Sequence, residues 1–326
     1  VEIVPNKFIY LTDVHYSEHN PRAWKADYSG TLLANLDWVF NYANENNIGL
    51  VVHGGDLGHR YNWDSVMLTK FIDLRHKYSN IKFWTIIGNH DTIGKNVQNI
   101  RNTGLNILAK DPNILEIIND DLTRPGHTPS IYGNYEFYGY HSDWYKTEEL
   151  LKGEEYLDEA YGEVDDPICV AVIHAAVGAE STPYCKGIKD VKVGGFDLAL
   201  FGDIHNGWEP VDISWDAFEN KTMAFNPGSF GRRTVEDSKR ATKFIVFEGR
   251  DFKEVEVPNL ANEELFNFKA FKPVTISKAY LEAMSSIKSF REEDLTAMLF
   301  AKAKELNLDE YIVRRIVEKI NPQSEL

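Results

Sequence analysis

Five short apolar runs, each ending abruptly in polar residues, constrain this chain more than any other feature. They are Lys7 to Thr12 before Asp13-Val14-His15, Gly49 to His53 before Gly54-Gly55-Asp56, Phe83 to Ile87 before Gly88-Asn89-His90-Asp91, Ile168 to Ile173 before His174, and Phe196 to Phe201 before Gly202-Asp203-Ile204-His205. Apolar runs of this length bounded by turn residues suit parallel strands covered on both faces. Ligands gather beyond the carboxyl ends of such strands. Here every such end offers a group able to bind a cation or move a proton.

Leu32, Leu33, Leu36, Val39, Phe40 and Ala43 recur at helical spacing between the first two runs, and Val66, Leu68, Phe71, Ile72 and Leu74 mark a helix before the third. Strand, helix, strand, helix, strand predicts an α/β fold with crossover connections. The spacing of Asp13 and His15 predicts that both leave an extended strand end on one side. Tyr132 to Tyr140 reads as a hairpin followed by the strand that carries His141, and the acidic stretch through Glu163 as a solvated helical insertion. Lys243 to Glu248 and Lys253 to Val257 read as a second hairpin, turning at Gly249-Arg250-Asp251. After Pro258 the pattern turns helical, over Glu263 to Phe268, Lys278 to Ser285, Glu292 to Leu306 and Asp309 to Ile320. Two domains are expected, residues 1–258 and a mainly helical region over 259–326.

The formal net charge of −15 argues against a generic nucleic-acid-binding surface. It leaves nucleic acid open as a substrate, because acidic groups around divalent cations are neutralised by them. Cys169 and Cys185 have no redox or zinc spacing, and the first lies inside an apolar run, as a buried thiol in a reducing compartment would. No stretch approaches the ~20 apolar residues of a membrane span, and Val1 to Asn6 has neither the basic region nor the apolar core of a signal. No membrane role is expected. The expected compartment is the cytoplasm of a bacterial or phage-infected cell, or the nucleus in a eukaryote.

Asp13, His15, Asp56, Asn89, His174, Asp203 and His205 are more ligand-type groups than one ion needs. Mixed imidazole, carboxylate and amide donors suit manganese, iron, zinc or magnesium. Two such ions about 3.5–4 Å apart and sharing a carboxylate form a clamp for displacement at phosphorus.

The ordered blocks Asp-x-His, Gly-Gly-Asp, Gly-Asn-His-Asp, an isolated His after a strand, and Gly-x-x-His resemble the calcineurin-like metallophosphoesterase superfamily over roughly the first 250 residues. The resemblance implies a two-layer β-sandwich flanked by helices and two divalent ions, most readily Mn2+, with Mg2+ an alternative. It implies Asp13, His15, Asp56 and His205 around one ion. Around the other it implies Asp56 as the bridge, Asn89, His174 and the residue at 203. His90 would lie beside the scissile phosphate, donating a proton to the leaving oxygen or stabilising transition-state charge.

Serine/threonine protein phosphatases carry Gly-Asp-x-x-Asp-Arg-Gly and Arg-Gly-Asn-His-Glu at these blocks. This chain has His59 where the second aspartate stands and Ile87 where the arginine stands, so a phosphate-gripping cation is missing. Gly55-Asp56-Leu57-Gly58-His59 is instead similar to the Gly-Asp-Leu-Phe-His block of the SbcD/Mre-type nucleases, as is Asn226-Pro227-Gly228-Ser229 to their Pro-Gly-Ser turn. That likeness implies a DNA exonuclease or endonuclease subunit working in DNA repair or recombination with an SMC-like ATPase. It also implies His59 close to the DNA, a carboxy-terminal region that docks the ATPase, and a homodimer through the early helices. A phosphatase or phosphodiesterase acting on small or protein phosphoesters is the second reading, and a non-catalytic metal-binding scaffold the third.

Asp203 departs from the usual Gly-His-x-His. A carboxylate there leaves a less positive centre and tilts the second site toward manganese or magnesium, unless Asp203 merely orients a ligand. Arg232, Arg233, Lys239 and Arg240, with Lys243, form the densest basic cluster, either a phosphate-backbone contact or a solvated loop. Tyr16 and Trp24 line the substrate cleft or pack the core.

Overall fold

The computed structural model describes residues 6–118, 129–142, 150–151, 166–182, 185–214 and 221–268. The chain divides into two compact units, Val1–Phe271 and Lys272–Leu326. The second unit, and with it the three predicted helices from Lys278 onward, lies outside the described residues, as does most of the acidic stretch before Glu163.

Two six-stranded sheets form the first unit. In one, β1 (Lys7–Leu11), β2 (Leu50–His53), β3 (Lys82–Thr85) and β4 (Glu116–Ile117) run parallel, and β13 (Lys243–Glu248) and β14 (Asp251–Glu256) extend it antiparallel beyond β1. In the other, β6 (Tyr135–Tyr140), β7 (Ile168–His174), β10 (Leu198–Gly202) and β12 (Met223–Asn226) run parallel. Its edges are the antiparallel strands β5 (Ser130–Tyr132) and β11 (Trp208–Asp212). The short strands β8 (Val177–Gly178) and β9 (Lys186–Gly187) pair separately.

Alternation sorts each strand's side chains. Phe8, Tyr10, Leu50, Val52 and Trp84 face Phe137, Val170, Val172, Leu198 and Leu200 across the space between the sheets. Ile9, Leu11, Val51 and Phe83 point the other way, into a layer with α1 (Tyr28–Glu45), α2 (Ser65–Lys77) and the short α3 (Gly104–Leu108). Ala171, Ile173, Ala199 and Phe201 cover the outer face of the second sheet. Because both faces are buried, the strands read as unbroken apolar runs. The fold is thus the expected mixed α/β sandwich of two sheets flanked by helices. Asp27 and Asp64 cap α1 and α2 by accepting from Gly30 N and Met67 N, which fixes where each helix leaves its preceding loop.

Two local expectations change. The expected Glu263 to Phe268 helix is a single turn, α4 (Asn262–Leu265), after which Phe266 is buried and bridges Trp24. Asp13 and His15 do not extend β1: both are left-handed, with φ of 54° and 50°, because the chain turns sharply once past Leu11. No helix among the described residues is long and apolar enough to cross a membrane.

Candidate metal centre

The loops that follow β1 and β2 go on pairing after the strands end. Asp13 N donates to Gly55 O at 3.1 Å, His15 N to Asp56 O at 2.9 Å, Tyr16 N to Leu57 O at 2.8 Å, and His59 N back to Tyr16 O at 2.9 Å. Asp13, His15, Asp56 and Asp203 all sit at positive φ, where a side chain costs on the order of 1–3 kcal/mol. That strain turns four side chains toward one space. Gly88 permits the closest approach, since a Cβ there would stand 2.1 Å from Asp56 Oδ1.

His15 Nε2 lies 2.9 Å from His205 Nε2, 3.8 Å from Asp13 Oδ1 and 3.7 Å from Asp56 Oδ2. His205 Nε2 is 3.9 Å from the same Asp13 oxygen. Beside this group, His174 Nε2 stands 3.6 Å from Asp56 Oδ1 and 3.6 Å from Asp203 Oδ1, and Asn89 Nδ2 donates to Asp203 Oδ1 at 2.8 Å. The two oxygens of Asp56 therefore face two different clusters. Strand order brings the second cluster in, because Gly202 pairs with His174 at the end of the second sheet.

His174 Nδ1–H donates to Gly54 O at 2.8 Å, which leaves a buried Nε2 lone pair with no hydrogen-bond partner. Burial alone would lower its pKa, but the Asp56, Asp13 and Asp203 carboxylates outweigh it and raise the ring to about 9. A field that holds a proton there equally suits a metal cation. Asn89 Oδ1 is also buried without a partner, and half a turn of the amide would present it in place of Nδ2. Burial, with the facing His205 and His90 rings, pulls His15 well below the ordinary imidazole value, so it offers a lone pair. Adjacent ligands around an ion with bonds of about 2.1 Å stand about 3 Å apart. In the two groups, Asp13-His15-His205 and Asp13-Asp56-His174, the ligand atoms all lie within 4.8 Å of one another, looser than that spacing but close enough for a divalent cation to draw them in.

Asp91 holds the frame. Its Oδ2 accepts from Asp56 N at 2.9 Å, Gly88 N at 3.0 Å and Leu57 N at 3.4 Å, and its Oδ1 from Gly58 N at 3.1 Å. Burial nevertheless raises its pKa to about 6. Thr12 Oγ1 donates to Asp13 Oδ2 at 2.7 Å and Asp203 N reaches that oxygen at 3.0 Å, which turns Oδ1 toward the histidines. Its four backbone donors come from two loops, Asp56 to Gly58 after β2 and Gly88 after β3, a convergence with no local signature in the sequence.

His90 Nδ1–H donates to His59 O at 2.8 Å, so its Nε2 faces the site, 4.0 Å from Asp56 Oδ2, on a ring 39% exposed. The His59 ring stacks on it, with centroids 5.3 Å apart. Burial lowers both rings, His59 to about 4, so both enter neutral. His15, His59 and His90 make a third ligand-type grouping, which the strand-end pattern does not predict.

The basic cluster does not form one surface. Arg232 is buried, donating to Asp237 O and Asn262 Oδ1, and Arg240 pairs with Asp237 Oδ1 at 3.1 Å and donates to Ser229 O. Lys239 pairs with Glu236 on the exterior. As phosphate contacts Arg232 and Arg240 are therefore corrected: Asp237 and the carbonyls around it draw both guanidiniums inward. Arg233 faces the cleft, donating to His15 O at 3.4 Å. Trp24 packs in the core, and Tyr16 lies between the core and the cleft wall.

The sequence model of the calcineurin-like phosphoesterases matches residues 7–207, a span that contains both clusters and both sheets' ligand-bearing ends. The chain belongs to that family. Members of the family typically bind divalent metals, in keeping with the Asp and His groups assembled here. Solved structures similar to this chain include TT1561 of Thermus thermophilus, at 10% identity and a TM-score of 0.40, covering 78% of this chain and 99% of that one. Another is a dimetal phosphatase from Danio rerio, at 12% identity and a TM-score of 0.43, covering 77% and 99%. No curated protein matches the chain.

Proposed function

We propose that this protein is a two-metal phosphodiesterase that cleaves DNA, an SbcD/Mre-like nuclease subunit. The observation that carries the reading is Asp56, whose oxygens address His15 on one side and His174 on the other. In this reading Asp13, His15, Asp56 and His205 hold one divalent ion, and Asp56, Asn89, His174 and Asp203 the other, with Mn2+ the best match to the donors. The ions supply positive charge and an activated water when bound. His90 Nε2, aimed at the site by the Nδ1–H bond to His59 O, takes up a proton from solvent and passes it to the leaving oxygen, which departs as the alcohol.

Charge favours a diester over a monoester. Two divalent ions against Asp13, Asp56 and Asp203 leave one net positive charge, which balances a monoanionic diester better than a dianionic monoester. Ile87 adds no cation where protein phosphatases carry arginine. The proposal extends to an SMC-like ATPase partner and a homodimer, as the SbcD/Mre resemblance implies.

Purified protein with Mn2+ should shorten end-labelled duplex DNA and cleave an aryl phosphodiester faster than the matching monoester. His90→Ala should slow both reactions at least about 100-fold. Faster monoester cleavage with intact DNA would establish the phosphatase reading instead. Co-purification with an SMC-like ATPase, and its loss on truncation after residue 271, tests the partner.

A further inference from the structure

We propose that Arg233 grips the phosphate next to the scissile one in a nucleic-acid strand, at the mouth of a cavity that takes the adjoining nucleotide. This rests on the diesterase reading above. Of the five basic residues from Arg232 to Lys243, four are engaged: Arg232 with Asp237 O and Asn262, Lys239 with Glu236, Arg240 with Asp237, and Lys243 with Glu254. Arg233 has no ion pair among the described residues. Its guanidinium lies 5.1 Å from the Tyr28 ring, interacts with the Tyr28 hydroxyl and donates to His15 O at 3.4 Å, so its contacts are neutral and leave its charge unpaired.

A cavity of about 420 Å3 opens from Arg233 and His59 past Arg60, Asn20 and Trp63. That volume lies within the roughly 300–1,000 Å3 of small-ligand sites. His59 joins the two spaces, lining the cavity while stacking on His90. A group seated beside Arg233 is therefore next to whatever reacts at His90. The acidic groups in the wall are already committed. Glu18 accepts from Tyr16, Ser29 and Lys70, and Asp64 caps α2. With Glu18 paired to Lys70, the lining sets Arg22, Arg60 and Arg233 against Asp64, a net positive wall in a chain of net charge −15. Where Ile87 offers no cation, the loop after β12 thus brings one beside the His15 backbone. A monoester has nothing to place there, whereas a strand places its next phosphate.

The test compares wild type, Arg233→Ala and Arg233→Lys on three kinds of substrate. They are a short thymidylate, the same oligomer with one uncharged methylphosphonate at either neighbour of the scissile phosphate, and an aryl phosphodiester with no second phosphate. Neutralising the gripped phosphate should lower wild-type kcat/KM about tenfold. It should cost Arg233→Ala little, and Arg233→Lys should recover part of the difference. In EDTA, where nothing is cleaved, the dependence of log affinity on log salt for the thymidylate should fall by about 0.7 in Arg233→Ala. Equal losses on the aryl diester and the oligomer, or a methylphosphonate penalty the same in variant and wild type, would overturn the assignment. Should wild type cleave neither substrate, the diesterase reading falls and the EDTA measurement judges Arg233 alone, an unchanged salt slope counting against it.

Discussion

The two sheets each contribute half of the site, and they build their halves differently. The loops after β1 and β2 place Asp13, His15 and Asp56 with almost no exposure, lock them to one another through backbone hydrogen bonds, and close on Asp91. Beyond β10, Asp203 and His205 keep 23% and 35% of their side chains exposed. Their loop is held by Ser229 N to His205 O and by Asn226 Nδ2 to Ile204 O, each at 3.0 Å. The first half is a preformed cradle; the second is a rim that a cation completes. Three of the four left-handed ligand-type residues, Asp13, His15 and Asp56, lie in the buried half, where packing sustains their strain, and Asp203 alone carries it on the rim.

The largest expected effect breaks the cradle. Asp91→Ala leaves four turn N–H groups without an acceptor, and should cost about 3 kcal/mol or more in denaturant unfolding without added metal. On the rim, Asp203→Ala should behave oppositely. It should weaken the second of two Mn2+ binding events about 100-fold in calorimetric titration, with stability changed by no more than about 0.5 kcal/mol. Equal stability losses for the two variants would erase the distinction between cradle and rim. Asp203→His should move metal preference away from manganese and magnesium toward zinc, and an unchanged preference would make Asp203 an orienting group only.

Protonation sharpens the same contrast through two buried histidines. His53, at the end of β2, donates Nδ1–H to Thr85 Oγ1, and burial lowers it to about 3. Below pH 6.5 the unfolded chain takes up the proton that the folded ring refuses. This ring by itself should therefore withdraw about 1.4 kcal/mol of metal-free stability per pH unit as the pH drops from 6.5 toward 3, the part of the slope that His53→Gln removes. His174, raised to about 9 by the carboxylates against its burial, binds its proton more tightly when folded. Its contribution is complete below pH 6.5 and is lost as pH rises through 9. The two histidines together favour the metal-free fold most near pH 6.5, and Mn2+ binding at pH 7 should release a proton from His174, read by titration in buffers of different ionisation enthalpy.

Much of this was legible in the sequence, for one reason. Strands buried on both faces must be apolar throughout, so Ile168 to Ile173 or Phe196 to Phe201 could hardly be anything else, and polar groups at their ends stood out. What was hidden depended on tertiary partners. Nothing in Asp13-Val14-His15 announces two left-handed residues, because glycine is the usual mark of that conformation and none occurs there. The cluster from Arg232 to Lys243 looked uniform, since the inward pull of Asp237 and Asn262 on Arg232 and Arg240 exists only once α4 packs back. Ile87 pointed to a missing cation, but not to the loop that offers one.

The smallest effect is the most discriminating for the cradle. Thr12 is fully buried, and its hydroxyl donates to Asp13 Oδ2 while lying within 2.4–2.6 Å of where Cβ atoms on Gly202 and Gly54 would stand. Thr12→Val keeps the shape and removes one hydrogen bond of about 1 kcal/mol, so affinity at the site containing Asp13 should fall only about fivefold. Asp203 N still holds the same oxygen, and the backbone pairing of the two loops is untouched. A loss near 100-fold would mean that Asp13 is aimed by a single hydroxyl rather than by the frame around it, and the buried half would then be as dependent on its parts as the exposed one.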